Sequence, residues 1–140
     1  MNWLRQLLGR RPAEAEHLRR GRLGERAAGR HLRRLGLKPL TRNFRSPAGE
    51  IDLICRDGDC LVFVEVKTRA SGQWTRPAAA VNARKRRRLT RAAFDYLDRL
   101  RRPPVKLRFD IVEVLLEDGR VAEVRHLPNA FPLTAPHRYG

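Results

Sequence analysis

Three residues stand out for the chemistry they could do together: Asp52 in Gly49-Glu50-Ile51-Asp52-Leu53-Ile54, and the pair Glu65 and Lys67 in Phe63-Val64-Glu65-Val66-Lys67. In an extended strand, successive side chains alternate between faces. Glu65 and Lys67 therefore share one face, and Val62, Val64 and Val66 share the other. Arg56-Asp57-Gly58-Asp59, between the two runs, carries hairpin turn chemistry. A turn centred on Asp57-Gly58 puts Asp52 opposite Phe63, and one centred on Gly58-Asp59 puts it opposite Glu65. Either register places Asp52 on the face of Glu65 and Lys67, with Ile51 and Leu53 on the valine face and neighbouring Cβ atoms about 5–8 Å apart. Two carboxylates so close repel unless a cation sits between them, and hard oxygen ligands with open water positions suit Mg²⁺ or Mn²⁺. A nearby ammonium can orient a water or offset charge developing on a phosphate. Such a set is what phosphodiester hydrolysis requires. The plainer alternative is a solvent-facing strand whose Glu and Lys are merely exposed.

Glu25 is a further acid of interest, close to the apolar stripe of Ala28 and Leu32, with Gly21 and Gly24 leaving room for another backbone. Its alternative reading is a flank position paired with Arg22 or Arg26.

The charge distribution points to a partner. The 140 residues carry 31 Lys and Arg against 15 Asp and Glu, a net charge of +16, yet 41% hydrophobic content is too high for a disordered polycation. The segment from Arg69 to Arg108 holds thirteen Lys or Arg and two acids, +11 of that total. Its densest part is Arg84-Lys85-Arg86-Arg87-Arg88, with Arg91 one turn later. Clustered cations of this kind fit nucleic acid. A solvated helix face and a basic amphipathic helix on anionic lipid or in a partner groove are the alternatives.

The elements that must position these residues follow from periodicity and turn signals. Glu14 to Leu35 reads as a helix stopped by Gly36. Leu37 to Phe44, Glu50 to Cys55 and Leu61 to Lys67 read as strands. Ser71-Gly72 and Pro77 bracket a loop, and Ala79 to Leu100 is a second helix with Leu89, Ala93, Leu97 and Leu100 as its stripe. Val105 to Leu116 and Val121 to Leu127 form a second hairpin around Glu117-Asp118-Gly119-Arg120. The expected class is α/β (α+β): a mixed sheet flanked by helices, with both helices able to cover one face. An extension over residues 1–13, one domain over 14–127 and an irregular, proline-punctuated tail over 128–140 complete the organisation.

The longest apolar runs, Leu61 to Val64 and Ala78 to Val81, are four residues each, far short of the ~20 a bilayer span needs, so no membrane role is expected. The amino terminus breaks its apolar residues with Arg5 and Gln6, unlike a signal peptide, which places the chain in the cytoplasm. Cys55 and Cys60 have no Cys or His at zinc-site spacing and read as free thiols.

Gly21-Arg22-Leu23-Gly24-Glu25-Arg26-Ala27-Ala28, Arg42-Asn43-Phe44-Arg45, Gly49-Glu50-Ile51-Asp52-Leu53-Ile54, Phe63-Val64-Glu65-Val66-Lys67-Thr68-Arg69 and Arg108-Phe109-Asp110 together resemble the bacterial YraN family. That family resembles archaeal Holliday-junction resolvases within the PD-(D/E)xK nuclease superfamily. The resemblance runs from about Gly21 to Phe131 and implies a restriction-endonuclease-like αβββαβ core. It departs from the superfamily name in having Ile51, not proline, before Asp52.

By the resemblance, Asp52 is the first acid, Glu65 and Lys67 the (D/E)xK pair, and Glu25 the acid from the first helix. The resulting expectation is an endonuclease using Mg²⁺ or Mn²⁺. Asp52, Glu65 and the Val66 carbonyl would hold the metal, Lys67 would position the attacking water, and Glu25 would act directly or through a water. Arg69, Lys85, Arg86, Arg87, Arg88 and Arg91 would grip phosphates without reading bases. The implied substrate is branched or structured DNA, and cutting two symmetric strands would favour a two-fold homodimer. A non-catalytic nucleic-acid-binding module built on the same basic segment is the rival.

Overall fold

A computed structural model describes residues 12–70 and 81–133. The loop bracketed by Ser71 and Pro77 and most of the expected N-terminal extension lie outside the described residues. Helix α1 spans Pro12–Arg34. Strands β1 (Lys38–Ser46), β2 (Gly49–Asp57) and β3 (Cys60–Ala70) follow, then helix α2 (Ala83–Arg99) and strands β4 (Lys106–Glu117) and β5 (Arg120–Phe131). This is the expected order. The five strands form one mixed sheet in sequential order, with β3 and β4 parallel and the other neighbours antiparallel. The parallel pair is joined through α2, the crossover such a pair needs.

Local chemistry sets the boundaries. Gly36, at φ +94°, ends α1 in the left-handed region, and the Leu37 N–H donates back to the Leu32 carbonyl at 3.1 Å. At the start of α2, the Asn82 side chain accepts from the Lys85 N–H at 2.9 Å, capping the helix. Asp57 pairs with Cys60, which centres the first hairpin on Gly58-Asp59, the second of the two candidate registers, with Gly58 at φ +61°.

The helices lie on opposite faces of the sheet, correcting the expectation that both cover one. Ala28 and Leu32 of α1 pack with Leu53, Val62, Val64, Val112 and Val114. Leu89, Ala92, Ala93, Tyr96 and Leu97 of α2 pack with Ile54, Phe63, Phe109 and Ile111. The physical reason is in β3: Leu61 to Val64 is apolar at odd and even positions alike, so both faces need cover.

A second correction concerns alternation in β2. Leu53 belongs with Val62 and Val64, but Ile51 joins Phe44, Ile54 and Phe63 on the α2 side. The break falls at Asp52, between the pairs Arg42–Leu53 and Phe44–Ile51, where Asn43 of β1 takes φ +51°.

The tail is also shorter than expected, because β5 continues through Pro128 to Phe131. Phe131 is buried and stacks on Phe109, with centroids 4.8 Å apart. Pro128 is tolerated because β5 is an edge strand. The buried carboxylate of Asp110 ties this edge down. It accepts from Arg108 Nε at 3.0 Å and from the Asn129 N–H at 3.0 Å, and pairs with His126 Nε2 at 2.7 Å. Burial opposes its charge, but these partners hold its pKa below the usual range. The Arg108-Phe109-Asp110 block thus serves the fold. Among the described residues no helix is long and apolar enough to cross a membrane.

Gly24 sets how closely α1 meets β3. A Cβ there would collide with Thr68 Oγ1 and lie 3.1 Å from Thr68 Cβ, whereas one at Gly21 would meet nothing within 4 Å. Of the two glycines expected to leave room, Gly24 is the one that does. Gly24→Ala is therefore expected to lower stability in chemical denaturation by roughly 1–3 kcal/mol. Gly21→Ala should leave it unchanged or raise it by up to about 1 kcal/mol.

Candidate active site

The break in β2 decides where Asp52 points. The β2–β3 pairing runs from Asp57 and Cys60 to Leu53 and Val64. Asp52, the next residue, accepts instead from the Val66 N–H through Oδ2 at 2.8 Å. Its carboxylate is thereby held against the β3 backbone beside Glu65, which is 5% exposed under α2. The two acids line a cavity of about 300 Å³ with Gly49, Glu50, Lys85 and Arg88. Burial, then the charge of Glu65, pushes Asp52 up to about 7, with Glu25 adding to the rise and the Val66 N–H and Lys85 opposing it.

Two ammonium groups answer this negative charge. Lys67 Nζ lies 3.9 Å from Glu65 Oε1. Lys85, from the first turn of α2, forms an ion pair with the same oxygen. Burial works against the Lys85 charge, but Glu65 outweighs it and raises the pKa above the ordinary lysine value. Lys67 is lowered by burial and then by Lys85. Lys85 is thus not on the outer basic face expected for the cation run. Its spacing held the signal: it stands four residues before buried Leu89, on the inward stripe.

Glu25 joins the cluster from α1. Burial raises its pKa first, the Asn43 side chain opposes through a hydrogen bond, and the charges of Glu50 and Glu65 reach it. Asn43, absent from the sequence-level candidates, thus helps to support the acid cluster.

The remaining expected phosphate contacts divide. Arg87, Arg88 and Arg91 are exposed. Arg86 turns inward, donating from Nε to the Val81 carbonyl at 3.0 Å and lying over the Phe131 ring at 5.2 Å, so it is a packing residue. Arg69 is half-buried, and its Nε is buried with no hydrogen-bond partner.

The donor set can be tested against a metal. Among the described residues no group of three or more His, Cys, Asp or Glu forms a ready cage. Two carboxylates on a water-accessible cavity nevertheless suit Mg²⁺, which retains several waters and takes one or two carboxylates. Asp52 is raised by burial first and by the charge of Glu65 second, and a divalent ion at the cavity would offset both. The residues fit such an ion provided the Lys85 ammonium leaves Glu65.

The chain matches the family model described as "Uncharacterised protein family UPF0102" over residues 24–114, a span containing Glu25, Asp52, Glu65, Lys67 and Lys85. It is 49% identical over 112 residues to a UPF0102 protein of Symbiobacterium thermophilum, covering 79% of this chain and 94% of that one. It is 45% identical over 116 residues to one from Syntrophotalea carbinolica, covering 83% and 94%. For Trichlorobacter lovleyi the figures are 41% over 114 residues, covering 81% and 90%. Matched by the family model and over most of the length of these relatives, the chain belongs to the UPF0102 family.

Proposed function

We propose that this protein is a metal-dependent endonuclease that hydrolyses phosphodiester bonds in DNA, acting in the cytoplasm on branched or otherwise structured substrates, as a two-fold dimer where two strands are cut. The observation that carries the reading is the pair of half-buried Asp52 and buried Glu65 on one cavity, with Lys67 beside it and exposed Arg87, Arg88 and Arg91 on the adjoining helix. Asp52 and Glu65 would hold Mg²⁺ or Mn²⁺. When bound, the ion supplies Lewis-acid activation of the phosphate and a nucleophilic water. Lys67 orients that water and offsets charge gathering on the phosphate. Glu25 supports the acid cluster from α1, and the exposed arginines position the strand. The Lys85–Glu65 ion pair favours a second reading, a non-catalytic nucleic-acid-binding module whose acids are permanently neutralised.

Cleavage of linear, nicked, flapped and four-way DNA with and without Mg²⁺ separates the two. The nuclease predicts metal-dependent products that Asp52→Asn abolishes. Lys67→Ala should lose at least about 100-fold in turnover while still binding DNA, with affinity lowered by no more than several-fold. Parental rates in Asp52→Asn would reject the assignment.

Lys85 competes with a cation for Glu65. Lys85→Ala is expected to bind Mn²⁺ more tightly than the parent in calorimetry, despite losing a positive charge near DNA.

Asp52 also weakens the fold. With its folded pKa raised from 3.8 to about 7, the native state binds more protons than the unfolded one between those values, so stability falls as pH rises through that window. Asp52→Asn should therefore be more stable than the parent at pH 8, by roughly 1–3 kcal/mol, and the gap should close towards pH 4 in thermal melts.

A further inference from the structure

Lys67 belongs to two surroundings. Its ammonium lies 3.9 Å from Glu65, and the residue also lines a second, larger cavity of about 410 Å³ between α1 and the end of β3. His17, Arg20 and Gly21 come to this cavity from α1, and Lys67, Thr68 and Arg69 come from β3. Among the described residues lining it there is no carboxylate.

The fold creates this space in three ways. β3 pairs with β2 as far as Val64, and from there the described register continues on the β4 side through Ala70. A strand that has lost one neighbour presents backbone donors and acceptors along that side. Gly24 lets α1 close over this stretch, with Thr68 against it, while Gly21, one turn earlier, has nothing within 4 Å of its would-be Cβ. The helix therefore touches β3 at one turn and stands off at the next, and the gap is ringed by basic side chains.

The donors around the gap are under-used. Arg69 keeps a buried Nε with no hydrogen-bond partner. Arg20 reaches Glu16 at 3.4 Å, but that pair is exposed and long, an interaction worth little. Glu113, the buried carboxylate on which the Arg69 charge acts, and Glu16, the exposed partner of Arg20, lie outside this lining, and a lining of basic side chains with no acid among them selects an anion. Lys67 bridges this gap to the acid cluster, so the anion it selects belongs next to the group placed at Asp52 and Glu65.

We propose that the cavity of His17, Arg20, Lys67 and Arg69 is a phosphate subsite, seating the phosphate that adjoins the scissile one on the same DNA strand. The inference rests on the nuclease reading and extends it: the cut strand must continue through this gap, so a strand ending at the cleavage point loses an anchoring contact.

The test uses the full chain carrying Asp52→Asn, which binds without cutting, and compares it with the same chain carrying His17→Ala and Arg20→Ala. Both added positions are exposed, so the fold should persist, and matching melting curves check this. Fluorescence anisotropy is read on a four-way DNA in which one uncharged methylphosphonate is moved along the strand, and across a salt series. The expected result is a several-fold loss of affinity at one flanking position in the Asp52→Asn chain, no loss there in the added variant, and a salt slope shallower by about one in the latter. Identical methylphosphonate profiles and salt slopes in both chains overturn the subsite while leaving the nuclease reading intact. Absence of DNA binding by both chains overturns the nuclease reading and the subsite with it.

Discussion

Two carboxylates held side by side at one cavity form the constraint around which the rest of the structure is arranged. Asp52 and Glu65 could relieve their repulsion by turning to solvent, but the β2 break and the Val66 N–H fix one, and α2 covers the other. What remains is compensation by cations, and the fold delivers two ammonium groups to a single oxygen of Glu65. One comes from the same strand and one from the opposite layer, so the packing of α2 on the sheet and the charge balance of the cluster are one problem. α1 closes the other side, and the contact of Gly24 with Thr68 sets how near Glu25 can come.

Much of this arrangement was legible in the residues. Turn chemistry at Gly58 and Gly119 and the helix stop at Gly36 mark the element order without tertiary information. The shared face of Glu65 and Lys67 follows from a two-residue repeat in a well-paired strand. The same rule places Asp52, yet for an incomplete reason: simple alternation puts Ile51 with Leu53, and they separate. The break coincides with a left-handed Asn43 opposite it on the neighbouring strand, and no pattern within β2 encodes that pairing. The side of the sheet taken by each helix was likewise open to inspection, because Leu61 to Val64 has no polar parity to expose. Proline near the C-terminus reads as a chain breaker, whereas edge position and the stacking of Phe131 on Phe109 let the strand run on.

The basic segment shows why a charge count locates a region better than it assigns a role. Its cations include an ion-pair partner at Lys85, a packing residue at Arg86 and exposed groups at Arg87, Arg88 and Arg91. Helical geometry makes the division, since neighbours about 100° apart on one helix face the sheet, the helix rim and water in turn. Periodicity therefore sorts the arginines and lysines more finely than their density does.

Asp110 and Asp52 show how far two copies of one side chain can diverge within one sheet. Asp110 pairs in register with Val64, the residue before Glu65, but it serves the α1 face, where Arg108, His126 and the Asn129 N–H stabilise its anion. On the α2 face Asp52 holds its proton to near neutrality. Acidification therefore has opposite mechanical effects on the two sides of the sheet. It quiets the strain beneath α2 and, further down the pH scale, unfastens the clasp that keeps the last strand in place, so the chain's tolerance of acid is bounded by its scaffold and not by its reactive face.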